Sequence, residues 1–207
     1  MHPNPIYRGA SAARNIAFAR ARGFGVLVVA DPDAGAPLIS HVPFALGDDG
    51  TLAELHLVRS NPIARAVKAP MPARLVVSGP DSYISPDWYG MEDQVPTWNY
   101  VAVHLTGRLE PCPQAELRGF LDRLSAMFET RLAPKPVWRA DKMAPDALAR
   151  MLRMIVPLRL RIETVEGTWK LAQNKPDAAR LAAADGVAAT GIGAERAALA
   201  ELMRALS

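Results

Sequence analysis

Three groups of residues in this chain have the types and spacing for chemistry. The first is Arg59-Ser60-Asn61, immediately before Pro62, with Arg65 and Lys68 following. Asn61 reads as a helix cap and Pro62 as the first helical residue, so the turn that follows is a helix start. Free backbone N–H groups and the positive end of the dipole gather there, and an arginine and a serine beside them make a phosphate seat. Arg65 and Lys68, three residues apart, can flank it. The same residues also describe an ordinary capped surface helix with solvated arginines.

The second group runs from Tyr83 to Tyr100, where five of the chain's eight Trp and Tyr residues fall, among them Trp88, Tyr89 and Trp98. Pro80, Pro86, Gly90 and Pro96 punctuate this stretch and argue against a helix, because proline lacks a backbone donor and disfavours helical geometry in the residue before it. It reads as an extended loop presenting flat rings, either as a lid on the core or as a surface for a planar ligand. The third group is Gly167-Thr168-Trp169-Lys170-Leu171-Ala172-Gln173-Asn174-Lys175. Its amides can recognise the polar edge of a heterocycle, or satisfy their own loop.

Other chemistries find no support. His41, His56 and His104 fall on three different expected strands, and no pair has metal-ligand spacing. The chain has no Gly-rich dinucleotide motif, no phosphate-binding loop and no nucleophile elbow. Cys112 is the single cysteine, which rules out an intrachain disulfide, and nothing beside it in sequence marks it as reactive. With 207 residues, half of them hydrophobic, one domain spanning 1–207 is expected. No signal peptide and no membrane span are recognisable, so the expected location is the cytoplasm. A net charge of +3 does not by itself point to nucleic acid.

The elements that must position these groups follow from periodicity. Ser11 caps a helix to Arg22, ended by Gly23. Strands are expected at 24–30, closed by a turn at 31–33, and at 37–46 and 51–58, a meander. A helix from Pro62 to about residue 69 comes next, then a strand at 73–78 ended by Gly79-Pro80. Strict alternation marks 100–109 and 158–166 as half-exposed strands. Apolar spacing marks 114–130 as an amphipathic helix, and 145–154 as a second. Alanine-rich helices at about 177–184 and 194–206 form a C-terminal extension. Six strands joined mostly as hairpins, with peripheral helices, make a mainly β, antiparallel, Greek-key-like barrel.

Taken in order, Ser40-His41-Val42-Pro43, Asn61-Pro62, Tyr83-Ile84-Ser85-Pro86 with Trp88-Tyr89, Val95-Pro96-Thr97-Trp98-Asn99-Tyr100 and Gly167-Thr168-Trp169-Lys170-Leu171 with Gln173-Asn174 closely resemble the PaiB-like family. Its members are described as FMN-binding negative transcriptional regulators. The resemblance covers residues 1 to about 180 and implies an FMN-binding split β-barrel, with a homodimer holding FMN at the subunit interface. It implies that Arg59, Ser60, Asn61 and Lys68 hold the FMN phosphate and that Ser40 and His41 run past the flavin ring. Trp98, Trp169, Lys170 and Gln173 would close over it, some of them from the partner chain. Ala172 departs from the small hydroxyl residue expected there, which removes one hydrogen bond.

The first functional expectation is therefore a flavin-binding regulator or sensor, although the low charge and the lack of a helix-turn-helix signal give direct DNA binding little support. The second is an FMN-dependent oxidoreductase, in which the cofactor carries the chemistry. A split barrel binding haem or another ligand through a histidine comes third.

Overall fold

The computed structural model describes residues 1–31 and 35–206. The turn expected at 31–33 lies, from residue 32 on, outside the described residues. Six strands form a closed antiparallel barrel in the order β1-β2-β3-β6-β5-β4: β1 (Phe24–Val29), β2 (Leu38–Leu46), β3 (Leu52–Val58), β4 (Met71–Ile84), β5 (Thr97–Pro111) and β6 (Ile155–Lys170). The expected antiparallel barrel is thus present. Around it are α1 (Ala12–Arg22), α2 (Pro62–Ala66), α3 (Leu117–Glu129), α4 (Pro145–Arg153), α5 (Asp177–Thr190) and α6 (Arg196–Arg204).

Local chemistry explains where the elements start and stop. The Ser11 hydroxyl accepts from the Arg14 N–H at 3.2 Å, and Gly23 turns the chain out of α1 at a φ of +59° that a side chain would resist. Phe24 then pairs with Pro43 and Val29 with Leu38, which gives the expected hairpin. Alternation on β5 buries Val101, Val103 and Leu105.

Several expected boundaries move, and α5 runs to Thr190 instead of ending at about 184. β4 does not stop at Gly79-Pro80 but runs on to Ile84. The strand is carried past the proline by the alternate donors that follow it: Asp81 N–H bonds Ala194 O at 3.0 Å and Tyr83 N–H bonds Ile192 O at 2.8 Å. β5 begins at Thr97, so Trp98 and Tyr100 sit on a strand, and the loop before it contains a single 3-10 turn at Pro86–Tyr89. β6 continues through Thr168 and Trp169 to Lys170, a segment expected to lie in a loop.

The chain divides into two compact units, and β4, β5 and β6 contribute residues to both. One unit comprises residues 16–77 and 105–165. Its core includes Leu27, Phe44, Leu55, Leu75, Leu105 and Leu160, all fully buried. Against β2, α3 packs Leu117, Phe120 and Leu124. The other unit comprises residues 1–15, 78–104 and 166 onward. Here small residues let α5 and α6 approach closely: Ala183, Ala184 and Val187 are buried with Leu199, Ala200 and Met203. The buried Arg180 guanidinium donates to the Met203 carbonyl near the end of α6 and to Asp177 Oδ1, so its charge meets both a carboxylate and the negative end of a helix. Among the described residues, no helix is long and apolar enough to cross a membrane.

Candidate functional site

In the unit of residues 16–77 and 105–165, the run after β3 forms the wall of a cavity of about 440 Å³. Arg59, Arg65 and Lys68 line it, over a floor that includes Val67, Pro157 and Leu158, and among the described residues no carboxylate lines it. Asn61 caps α2 as expected: its Oδ1 accepts from Ile63 N–H at 2.9 Å, while its Nδ2 donates to Ser40 Oγ at 3.1 Å. That bond fixes Ser40, on β2, to the turn. Because α2 spans only Pro62–Ala66 and its cap is already satisfied, the cavity's attraction for an anion comes from its side-chain cations and owes little to a helix dipole.

Arg59 is held from behind. Its backbone N–H donates to Met154 O at 2.8 Å, its Nε to Arg153 O at 3.0 Å, and its Nη2 to Gln114 Oε1 at 3.2 Å and Ile155 O at 3.3 Å. These neutral acceptors orient the guanidinium without cancelling its charge, and Nη1 has no partner among the described residues. Arg65 is oriented similarly by Ser60 O at 2.8 Å, and Lys68 has no polar partner among the described residues. Ser60 itself is exposed. His41 is exposed on β2, its ring stacked at 6.5 Å from that of Phe24. Cys112 also lines this cavity and accepts from Arg159 Nε at 2.8 Å, yet burial outweighs the guanidinium and pushes its thiol up. It is a protonated wall residue.

The remaining expected residues lie in the unit of residues 1–15, 78–104 and 166 onward. Trp169 is buried, its Nε1 donating to Asn15 Oδ1 at 2.8 Å while the Arg14 guanidinium sits 4.0 Å from its ring centroid. Gly167 makes room for this: a Cβ there would lie 2.1 Å from Asn15 Oδ1. Gln173 is occupied by backbone, accepting from Leu171 N–H at 2.8 Å and donating to Trp169 O at 2.6 Å and Ile6 O at 3.2 Å. Ala172, beside it, adopts a left-handed φ of +63°. Trp98 keeps 46% of its surface exposed and meets Tyr83 edge-on at 6.3 Å. Trp88 packs on α5, where only a glycine at 186 fits, since a Cβ would come within 2.4 Å of the indole.

Lys170 belongs to a second cavity, of about 270 Å³, with Tyr7, Tyr89, Thr97, Asn99 and Lys175 in its wall. Burial lowers the Lys170 ammonium's pKa and raises the phenol of Tyr7, and Tyr89 is raised by burial and by Tyr7. Sequence reasoning missed Tyr7, Tyr89, Asn99 and Lys175 as a group, because they come from separate stretches of chain. Among the described residues no cluster of His, Cys, Asp and Glu could hold a metal.

Residues 1–164 match the model of the family described as "Putative FMN-binding domain". The chain is 31% identical over 160 residues to protease synthase and sporulation protein PAI 2 of Bacillus subtilis, spanning 76% of this chain and 75% of that one. The chain belongs to this PaiB-like, FMN-binding family. Among solved structures, the FAD and haem binding protein from Mycobacterium smegmatis superposes with a TM-score of 0.58 at 19% identity, covering 90% of this chain and 82% of that one. The flavocytochrome Anf3 from Azotobacter vinelandii gives 0.55 at 18% identity, covering 82% and 72%. At such identities the likeness is one of fold. The PaiB-like chain has FMN as its cofactor, and the cation-lined cavity fits the phosphate ester of that molecule: Arg59, Arg65 and Lys68 present positive charge that no lining carboxylate among the described residues neutralises.

Proposed function

We propose that this chain binds FMN by its phosphate at Arg59, Arg65 and Lys68 and works as a flavin-dependent regulator or sensor, as a homodimer with FMN at the interface. The observation that carries the binding reading is the cavity beside α2, with its three cations and, among the described residues, no acid. In it Arg59 supplies a fixed donor, braced by three neutral oxygens, Arg65 a second guanidinium oriented by Ser60 O, and Lys68 an ammonium with no polar partner among the described residues. Asn61 and Ser40 hold the turn that carries them. Bound FMN supplies one- and two-electron redox chemistry that no side chain here offers. Trp98, still exposed on β5, is the expected tryptophan with a ring available to a second copy, whereas Trp169 is buried against Asn15 and Gln173 is taken up by backbone.

The regulatory role rests on the family resemblance and on the name of the sporulation relative. A second reading, an FMN-dependent oxidoreductase, is favoured by the separate lysine- and tyrosine-lined cavity, which offers room for a small molecule. The test is the visible spectrum of the purified protein after incubation with FMN and gel filtration. A retained flavin spectrum, weakened in Lys68→Ala and Arg65→Ala proteins that melt normally, supports the seat; a protein that takes up no FMN overturns it. Steady reduction of the bound flavin by NADH or NADPH, followed by turnover with an acceptor, moves the assignment to the oxidoreductase. Specific retardation of the protein's own upstream DNA at rising salt keeps it with the regulator.

A further inference from the structure

The second cavity, in the unit of residues 1–15, 78–104 and 166 onward, is a built polar site that the flavin seat does not use. Its wall holds Asn99, 1% exposed, whose Oδ1 is buried and accepts no hydrogen bond among the described residues. The other end of that amide makes only a weak contact, Nδ2 to the Met203 sulfur at 3.6 Å. A buried acceptor without a donor is uncommon in folded proteins and marks a place where a further molecule completes the bonding.

The charges around it define that molecule. Lys170 donates to Thr97 Oγ1, with its Nζ 5.8 Å from the Tyr7 ring centroid. Lys175 donates to Gln94 Oε1, with its Nζ 5.1 Å from the Tyr89 ring centroid. Neither ammonium meets a carboxylate among the described residues, and both keep donors to spare. Among the described residues Asp93 is the one carboxylate in the lining, so two positive charges face one negative and the wall carries a net charge of +1. A monoanion balances that wall, and a dianion overbalances it. A volume of about 270 Å³ admits a molecule displacing about nine waters.

We infer that this cavity binds a small hydroxycarboxylate, its carboxylate between Lys170 and Lys175 and its hydroxyl donating to Asn99 Oδ1. The site is distinct in its residues from Arg59, Arg65 and Lys68, and the assignment does not depend on the flavin reading. The ligand is either an effector or a substrate of the protein, and no covalent step is required of the cavity for it to bind.

Calorimetric titration of the full chain, with and without FMN, tests this with glycolate, lactate and 3-hydroxybutyrate beside their deoxy counterparts acetate, propionate and butyrate, and with inorganic phosphate. At least one hydroxy acid is expected to bind about tenfold or more tightly than its deoxy counterpart. Lys175→Met should abolish that binding, and Asn99→Leu, which replaces the amide with an apolar group of similar size, should erase the preference for the hydroxyl. Melting temperatures identify any variant that fails to fold, and Lys175→Met, at a half-exposed position, decides the matter if Asn99→Leu does not fold. The inference is overturned if no hydroxy acid binds below about 10 mM, if phosphate binds as tightly, or if Lys175→Met leaves binding unchanged. It is likewise overturned if Lys175→Met abolishes FMN uptake while the carboxylates never bind, which would assign the cavity to the flavin.

Discussion

The two cavities hold their cations in opposite ways. Beside α2, the guanidinium groups of Arg59 and Arg65 lean on backbone and amide oxygens, and all three cation-bearing residues that line the cavity come from within ten positions of one another in sequence. In the other unit, Lys170 and Lys175 rest over tyrosine rings in a wall drawn from Tyr7, the 89–99 stretch and the 170–175 stretch. A cation braced by neutral oxygens keeps its charge for an incoming anion while losing its freedom of movement. One set over an aromatic face, and partly desolvated, meets its ligand in a medium that strengthens the pairing but penalises the unpaired charge. The first arrangement suits a large, doubly charged phosphate near water. The second suits something small and singly charged.

The largest effect is expected from Trp169→Ala, in the unit that holds the lysine cavity. The indole is buried and its Nε1–H is paired with Asn15, so removal should cost about 3–5 kcal/mol in chemical denaturation. The half-exposed Trp98→Ala should cost below about 1 kcal/mol. Equal losses would mean that the buried and exposed tryptophans are not doing different jobs. Next in size, Arg65→Ala combined with Lys68→Ala should raise the FMN dissociation constant about 100-fold, or about 2.7 kcal/mol by fluorescence titration. The melting temperature should stay within about 2 °C, because neither side chain is part of the core.

Salt separates the cavities more gently. Between about 0.1 M and 1 M salt the screening length falls from about 10 Å to about 3 Å, so FMN affinity at the exposed cations should drop several-fold. A ligand of the half-buried lysines should lose less. The smallest effect concerns His56, on β3, the strand that leads to Arg59. Burial against Phe120 lowers its imidazole's pKa. The folded form is therefore neutral at pH values where the unfolded chain binds a proton. Stability should be flat above the unfolded pKa and fall as the pH drops below about 6.5, by less than about 1 kcal/mol in the first unit. His56→Gln should flatten that decline in urea titrations at pH 5 to 7.

Much of this was legible in the chain because it is local. The Ser11 and Asn61 caps each involve atoms within three residues, and alternation on β5 needs only its own sequence. The gathering of Arg59, Arg65 and Lys68 follows from one turn of backbone. What stayed hidden depends on partners far along the chain. Nothing near Trp169 in sequence shows that Asn15 takes its N–H, nor does anything near Gln173 show that Ile6 and the strand backbone occupy its amide. Pro80 misled for a related reason: the strand continues past it through Asp81 and Tyr83, whose acceptors in the 192–194 segment come more than a hundred residues later. Asn99 reads as one more polar residue in an aromatic run until its burial is known.

The bond between Asn15 and Trp169 also has a meaning in time. Its two residues are 154 positions apart, and ribosomes add about 5–20 residues per second. Asn15 therefore waits roughly 8 to 30 seconds for its indole to be made. Tyr7 and Asn99, likewise, are in place before Lys170 and Lys175 exist to complete their cavity. The Arg59 turn, by contrast, has all three of its cations once residue 68 has been added. A nascent chain arrested before residue 169 would carry the cations of one cavity and lack the lysines of the other, so for that interval the growing protein can offer an anion only one of its two receptions.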